Sequence, residues 1–232
     1  MPVELVIFDC DGVLIESERL AVELDVLMLA EIGWTLPREE IVERFMGRSY
    51  AHMIEQIGEF LGHPVPPEWT ERWDRSYREL LAAELEPVDG VAETLDALHA
   101  AGYRTCVASS SGHDKLAANL TTTQLHERLR GRIFSASEVA NGKPAPDLFL
   151  HAAARMGVAP EDCVVVEDSR YGVQAARAAG MPVFAFAAGG MTPLVHLEGP
   201  GTIVFHDMRE LPRLIVALDA PPGVPSDVPA EG

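Results

Sequence analysis

Two aspartates stand two residues apart near the start of the chain, in Val6-Ile7-Phe8-Asp9-Cys10-Asp11-Gly12-Val13-Leu14. The apolar residues before Asp9 predict a strand buried on both faces, and the alternation of side chains along a strand points Asp9 and Asp11 the same way. Two neighbouring carboxylates repel unless a cation separates them, and Mg2+ accepts such oxygen ligands beside phosphate oxygens. These residues predict a Mg2+ site where an α/β sheet binds its ligands. For this segment alone, an Asp-Gly turn is the alternative.

Three later segments also place polar side chains directly after apolar runs or in a loop. Ser109 follows Val107-Ala108, Lys143 lies in a Gly-Lys-Pro loop, and Glu167 and Asp168 follow an apolar run that ends at Val166. Parallel strands end at one edge of a sheet, so we expect these side chains to meet the first two aspartates. Carboxylates, one hydroxyl and one ammonium predict a metal-assisted phosphate site. The alternatives are a helix N-cap for Ser109, a solvated loop lysine for Lys143 and a structural carboxylate for Glu167.

The order of predicted elements indicates an α/β protein with a helical insertion. Residues 16–86 carry helical apolar spacing without a strand, which is typical of a small helical bundle. From residue 87 onward, strands alternate with helices, and this alternation predicts a parallel sheet with right-handed crossovers. We therefore expect a core domain at 1–15 and 87–219, a cap domain at 16–86 and a flexible, proline-rich tail at 220–232.

Composition limits the partners of the chain. The 232 residues carry a net charge of -18, which argues against nucleic acid and anionic membrane surfaces because both bind basic faces. No apolar run has the length of a membrane span. Cys10, Cys106 and Cys163 all lie in apolar runs, and no signal peptide pattern precedes them, so we expect a reducing cytoplasm. Lysine occurs only at Lys115 and Lys143.

Four motifs, taken together and in this order, resemble those of the haloacid dehalogenase superfamily, in its phosphatase and β-phosphoglucomutase branch with a helical cap. They are Asp9-Cys10-Asp11-Gly12-Val13-Leu14, Val107-Ala108-Ser109, Gly142-Lys143-Pro144 and Val166-Glu167-Asp168-Ser169. The resemblance implies a Rossmann-like α/β core with a parallel sheet and a cap inserted after the first strand.

The resemblance also implies a role for each residue of the predicted phosphate site. Asp9 would be the nucleophile that becomes an aspartyl-phosphate. Asp11 would protonate the leaving oxygen and then deprotonate the incoming water. Ser109 and Lys143 would bind the phosphoryl oxygens.

By the same resemblance, Mg2+ would be held by the Asp9 carboxylate, the Asp11 backbone carbonyl and Asp168, with Glu167 as a ligand or a supporting residue. The substrate-binding candidates lie in two loops. Arg48 belongs to a Gly-Arg-Ser segment that resembles the substrate loop of the cap, and Ser110 and Ser111, with His113, follow the second strand.

These features predict a Mg2+-dependent phosphatase of a small phosphorylated metabolite, a sugar phosphate or a related polyol or acid phosphate. The resemblance, not the sequence pattern, implies a monomer. The alternative enzyme is a β-phosphoglucomutase-like mutase. The mutase has a cap histidine shortly after the first motif, whereas Glu16-Ser17-Glu18-Arg19-Leu20-Ala21 contains none, and this difference favours water as the acceptor. A cap without lysine argues against carbon–phosphorus cleavage. A binding protein without catalysis is a further alternative, but it would not need a nucleophile and an acid–base residue.

Overall fold

A computed structural model describes residues 2–45, 50–189 and 191–219 of the protein. Its six strands form one sheet in the order β3-β2-β1-β4-β5-β6, and every neighbouring pair is parallel. The strands are β1 (Leu5–Phe8), β2 (Arg104–Ser109), β3 (Ile133–Ser135), β4 (Cys163–Glu167), β5 (Val183–Phe186) and β6 (Thr202–Phe205). Phe8 is level with Val107 of β2 and Val166 of β4, so these three strands end at the same edge. The predicted α/β class with a parallel sheet is confirmed.

Helices cover both faces of the sheet and fill the segment after β1. They are α1 (Ser17–Glu31), α2 (Arg38–Phe45), α3 (Tyr50–Leu61), α4 (Pro67–Glu84), α5 (Val91–Ala100), α6 (His113–Thr122), α7 (His126–Leu129), α8 (Asp147–Met156), α9 (Arg170–Ala178), α10 (Leu194–Leu197) and α11 (Leu211–Asp219). Helices α7 and α10 have four residues each, which is too short to produce a periodic apolar pattern.

Strand β1 holds the site in place because it is buried on both faces. All four of its residues are fully buried. Val6 and Phe8 belong to the apolar cluster on one face of the sheet, and Leu5 and Ile7 belong to the cluster on the other. Burial of each such side chain contributes about 1.5–3 kcal/mol, so a shift of register by one residue would be costly. The fixed register of β1 therefore determines where the chain after Phe8 begins, and with it the position of the two aspartates.

Helices α1–α4 build an apolar cluster of their own, which includes Val22, Met28, Ile41, Ile57 and Trp69. The chain enters and leaves this segment through two stretches that lie side by side. The backbone N–H of Glu16 donates to Glu86 O at 3.0 Å, and that of Val88 donates to Leu14 O at 3.0 Å. These contacts coincide with the predicted boundaries of a cap at 16–86. The division into a core and a cap remains a prediction.

Two predicted segments fall outside the described residues. The predicted tail at 220–232 is one, and the cap loop with Arg48 is the other. Within the described part of the chain, no helix combines the length and the hydropathy needed to cross a membrane.

Candidate active site

The two aspartates follow β1 in a tight loop. The backbone N–H of Asp9 donates to Val166 O at 2.9 Å, which extends the pairing with β4 by one residue. The chain then turns at Gly12, whose φ of +80° suits glycine. A Cβ at Gly12 would also lie only 2.1 Å from Asp168 Oδ2. The loop thus brings Asp9, Asp11 and Asp168 to one cavity, which all three line.

Lys143 forms the ionic centre of this cavity. Its Nζ donates to Asp9 Oδ1 and to Glu167 Oε1, the latter at 2.7 Å, and it lies 4.9 Å from the centre of the Phe149 ring. Burial raises the pKa of Asp9 to about 7 although Lys143 opposes this shift. Burial lowers the pKa of Lys143, but the two carboxylates raise it more, so Lys143 remains an ammonium. The family resemblance predicts Lys143 as a ligand of the phosphoryl oxygens, and the structure places its Nζ beside Asp9.

Glu167 uses both of its carboxylate oxygens within the protein. Oε1 accepts from Lys143, while Oε2 accepts from the backbone N–H of Asp168 at 2.8 Å, from the backbone N–H of Ser169 at 2.7 Å and from Ser169 Oγ at 2.9 Å. A Cβ at Gly172 would lie 1.6 Å from Oε1, so only glycine leaves room for this carboxylate. These contacts favour a supporting role for Glu167 over direct metal ligation.

Asp168 meets Glu18, a residue that the sequence analysis did not select. Their carboxyl groups share a hydrogen bond; Asp168 is buried and Glu18 is half-buried. Burial raises the pKa of Glu18 to about 8, and burial together with the charge of Glu18 raises the pKa of Asp168 well above its ordinary value. Asp168 Oδ1 is buried and lacks a hydrogen-bond partner among the described residues. An unpaired buried oxygen calls for a missing partner, and a hard cation is one.

The described residues contain no group of three or more His, Cys, Asp or Glu side chains arranged to hold a metal. The predicted Mg2+ ligand set would not form such a group, because it contains only two side chains, the carboxylates of Asp9 and Asp168. Its third ligand is the backbone carbonyl of Asp11. All three residues line the same cavity. The donor set and the unpaired Asp168 Oδ1 therefore fit Mg2+ with water or phosphate oxygens as its remaining ligands.

Asp11 is held as a carboxylate. Its Oδ1 accepts from Ser17 Oγ at 2.5 Å and its Oδ2 accepts from Ser111 Oγ at 3.0 Å, while Lys115 Nζ lies 3.9 Å from Oδ1. Burial raises the pKa of Asp11, but Lys115 and the two hydroxyl groups outweigh it, so the net shift is downward. The side chain that we expect to move protons is ionised in this arrangement.

Lys115, on α6, is a second site residue that the sequence analysis missed. Its Nζ lies 3.4 Å from the hydroxyl oxygen of Tyr77 on α4 and 5.0 Å from the centre of the Tyr77 ring. Both lysines of the chain therefore line one cavity in a protein with a net charge of -18. The scarcity of lysine was the signal that could have identified Lys115.

The predicted serines take different positions. Ser109 ends β2, is buried and lines the cavity together with Ser110. The N-cap of α6 is Gly112, so the N-cap alternative for Ser109 is wrong; its Oγ accepts from Ser111 N at 3.1 Å instead. Ser111 is not among the residues that line the cavity and contacts Asp11.

The structure separates His113 from the cavity described here, and it does not describe Arg48. His113 is not among its lining residues, and its Nε2 lies 2.9 Å from Glu138 Oε1. Arg48 lies outside the described residues, so its predicted contact with substrate remains a prediction.

The cavity has a volume of about 280 Å³. One end carries the ionic groups described above. Side chains of α1–α4 line the rest of the cavity and include Val22, Asp25, Phe45 and Trp73, while Tyr77 contacts both Trp73 and Lys115. A space of this size between a polar end and a largely apolar end suits a small molecule.

Comparison with known proteins agrees with this arrangement. The family model of haloacid dehalogenase-like hydrolases matches residues 3–180. The 6-phosphogluconate phosphatase of Escherichia coli strain K12 is 34% identical over 217 residues, which cover 91% of this chain and 94% of that protein. A probable pseudouridine-5'-phosphatase of Drosophila melanogaster is 39% identical over 188 residues, which cover 76% of this chain and 78% of that protein.

Solved structures show the same fold. A conserved haloacid dehalogenase-like protein from Agrobacterium tumefaciens superposes with a TM-score of 0.81 at 34% identity, covering 93% of this chain and 99% of that chain. A putative β-phosphoglucomutase from Thermotoga maritima superposes with a TM-score of 0.74 at 25% identity, covering 93% and 100% of the two chains. The chain therefore belongs to the haloacid dehalogenase-like hydrolases, an enzyme family whose matched members include named phosphatases of small phosphorylated metabolites.

Proposed function

We propose that the protein is a Mg2+-dependent phosphatase that hydrolyses a small phosphorylated metabolite, a sugar phosphate or a related compound, through an aspartyl-phosphate. The observation that carries this proposal is the contact of Lys143 with Asp9 in a cavity that Asp11 and Asp168 also line. The phosphatases among the similar proteins support the same reaction.

In the first step, an Asp9 carboxylate oxygen attacks phosphorus, and the bond from phosphorus to the leaving oxygen breaks. Asp11 gives that leaving oxygen the proton that it took from water at the end of the preceding turnover, and returns to its carboxylate form. Lys143 and Ser109 border the space where the phosphoryl oxygens must lie, and an ammonium and a hydroxyl there stabilise their negative charge.

In the second step, Asp11 takes a proton from water, the water oxygen attacks phosphorus, and the bond to Asp9 breaks. Phosphate leaves and the Asp9 carboxylate is restored. The contacts of Asp11 with Ser17 and Ser111 hold it in the ionised form that this step needs.

The Asp9 carboxylate, the Asp11 backbone carbonyl and Asp168 would hold Mg2+. A bound Mg2+ supplies positive charge for the phosphoryl oxygens and separates the two carboxylates. The buried, unpaired Asp168 Oδ1 supports its part in this set.

The mutase alternative differs in the acceptor of the phosphoryl group. The side of α1 that borders the cavity presents Ser17, Glu18, Ala21, Val22 and Asp25. A histidine, the residue that the mutase uses to position its acid–base aspartate, does not occur among them. This composition supports water as the acceptor.

A panel assay tests the proposal. We expect phosphate release from at least one member of a panel of sugar, polyol and acid phosphates with Mg2+, and release from none of them with EDTA. Asp9→Asn should abolish steady-state turnover and leave the fold intact by circular dichroism. Asp96→Asn is the control and should keep wild-type activity, because Asp96 forms an exposed ion pair with Arg128 and neither residue lines the cavity.

Three outcomes would contradict the proposal. Steady-state hydrolysis by Asp9→Asn would exclude the covalent route, and full activity in EDTA would exclude the metal. Conversion of β-glucose 1-phosphate to glucose 6-phosphate without net phosphate release, followed in a coupled assay, would identify a mutase. Rapid quench with labelled substrate should further show that Asp11→Asn accumulates or slows the phosphoenzyme.

We also assign the enzyme to a reducing compartment, the cytoplasm. The support for this assignment is that Cys10, Cys106 and Cys163 are all free and buried, where a thiol packs as a small apolar group.

A further inference from the structure

The cap end of the cavity contains one carboxylate in largely apolar surroundings. Asp25 lies on α1, exposes only 7% of its surface and lines the cavity. Its neighbours on the cavity wall include Val22, Ile41, Phe45 and Met53. An ionised group is costly to bury beside such side chains, so its presence needs an explanation.

Few groups of the protein offset the free-energy cost of burying the Asp25 carboxylate. Oδ1 accepts one hydrogen bond, from Trp73 Nε1 at 2.9 Å. No salt bridge joins Asp25 to a Lys, Arg or His within the described ranges, whereas Asp9 and Asp11, which line the same cavity, each have a lysine. A carboxylate offers about four acceptor positions, so most of the hydrogen-bonding capacity of Asp25 remains available to a bound molecule.

Asp25 carries a charge at neutral pH. Burial raises its pKa to about 6, against the opposing effect of the Trp73 hydrogen bond. A negative group at this position attracts the O–H or N–H donors of a substrate and repels a carboxylate or a second phosphate. Trp73 also stacks on Tyr77, with ring centroids 5.3 Å apart, and this pair adds an aromatic surface beside the carboxylate.

We propose that Asp25 determines substrate specificity by accepting hydrogen bonds from hydroxyl groups of the leaving group and by rejecting substrates that carry a carboxylate at that end. The substrate class is then a neutral-ended sugar or polyol monophosphate, as opposed to a sugar acid or hydroxy acid phosphate. This inference rests on the proposed phosphatase function. It separates the expected substrate of this chain from the one for which the similar Escherichia coli protein is named, 6-phosphogluconate.

The test uses matched substrates that differ only by a carboxylate or a hydroxymethyl group at the end far from phosphate. Three pairs cover different lengths: 6-phosphogluconate with sorbitol 6-phosphate, 3-phosphoglycerate with glycerol phosphate, and phosphoglycolate with 2-hydroxyethyl phosphate. We measure kcat/KM for phosphate release with Mg2+. For the pair that fits the cavity best, the wild type should prefer the hydroxymethyl member by about tenfold or more.

Asp25→Asn removes the charge and keeps an oxygen that can accept from Trp73. We expect it to shift the preference of the best pair toward the carboxylate member by about tenfold or more. Trp73→Phe is the control, because it removes the indole donor and keeps the Asp25 carboxyl group. It should lower kcat/KM for both members alike and keep their ratio. Since the Trp73 hydrogen bond lowers the pKa of Asp25, all variants are compared at about pH 8.5, where this carboxyl group stays ionised. If Asp25→Asn fails to fold, Asp25→Ser and the wild-type preference itself still provide the test.

The possible failures are distinguishable. Phosphate release without a preference for the hydroxymethyl member, or a preference that neither Asp25 variant changes, would overturn this inference and leave the phosphatase function standing. Release from none of the six compounds would overturn the proposed function and this inference with it.

Discussion

Glu167 Oε1 accepts a hydrogen bond from Lys143 Nζ at 2.7 Å, and this buried ion pair joins the end of β4 to the loop before α8. Lys143 also contacts Asp9, so Glu167 fixes the position of an ammonium that the proposed nucleophile depends on. The other oxygen of Glu167 binds the backbone of Asp168 and Ser169. One carboxylate thus supports both the lysine beside the proposed nucleophile and the loop with the proposed metal ligand.

Glu167→Gln should therefore reduce activity without removing a group that touches substrate. The glutamine side chain has one accepting oxygen where glutamate has two. Either Lys143 or the Asp168–Ser169 loop therefore loses its hydrogen-bond acceptor. We expect kcat to fall about 10–100-fold, as is typical for supporting residues of a metal site, and the free energy of unfolding to fall by about 1–3 kcal/mol. Phosphate release and urea denaturation measure the two effects. Glu161→Gln, an exposed change just before β4, is the control; equal behaviour of the two variants would contradict the supporting role.

Gly172→Ala should displace the same Glu167 carboxylate by steric contact. Alanine normally favours a helix over glycine by about 1 kcal/mol, but here its Cβ would lie 1.6 Å from Glu167 Oε1. Glu167 is held by four hydrogen bonds and cannot move aside freely. We expect a net loss of about 2–4 kcal/mol of stability, measured by urea denaturation, with reduced activity.

Gly58→Ala in α3 is the matched control for this prediction. Its Cβ would make an ordinary contact, 3.5 Å from His63 O, so the variant should be as stable as the wild type or slightly more stable. A Gly172→Ala protein with wild-type stability and activity would show that the Glu167 contacts are not needed.

The sequence predicted the sheet and the ionic end of the site because both depend on local signals. Buried strands appear as continuous apolar runs, and parallel strands bring Asp9, Ser109 and Glu167 to one edge whatever the details of packing. Lys115 and Asp25 could not be placed in this way. Both lie on helices, and the side of a helix that borders a cavity depends on how the helix packs against distant parts of the chain.

Lys115 is expected to matter for catalysis more than for stability. Its side chain is 38% exposed and lies 3.9 Å from Asp11 Oδ1, and such partly exposed pairs contribute at most about 1 kcal/mol to folding. In the reaction, however, its charge offsets the carboxylates around an anionic substrate. Lys115→Met should lower kcat/KM about tenfold with little change in the urea midpoint. Lys115→Arg should recover most of the activity; a loss as large as that of the methionine variant would mean that charge is not its contribution.

The pH dependence of stability should reveal the charge of Asp25. Its pKa is raised by burial from 3.8 to about 6, so between these values the folded protein retains a proton that the unfolded chain has lost. Stability contributed by the protonated form is therefore present below about pH 4 and is lost as the pH rises to about 6, by an amount on the order of 2–3 kcal/mol.

An asparagine side chain cannot ionise, so the Asp25→Asn protein should gain in stability relative to wild type by this amount between about pH 4 and pH 8, with no further gain at higher pH. Urea denaturation of both proteins across this range measures the difference. A difference that stays constant with pH would mean that Asp25 titrates alike in the folded and unfolded chains, and the cap cavity would then hold no desolvated carboxylate.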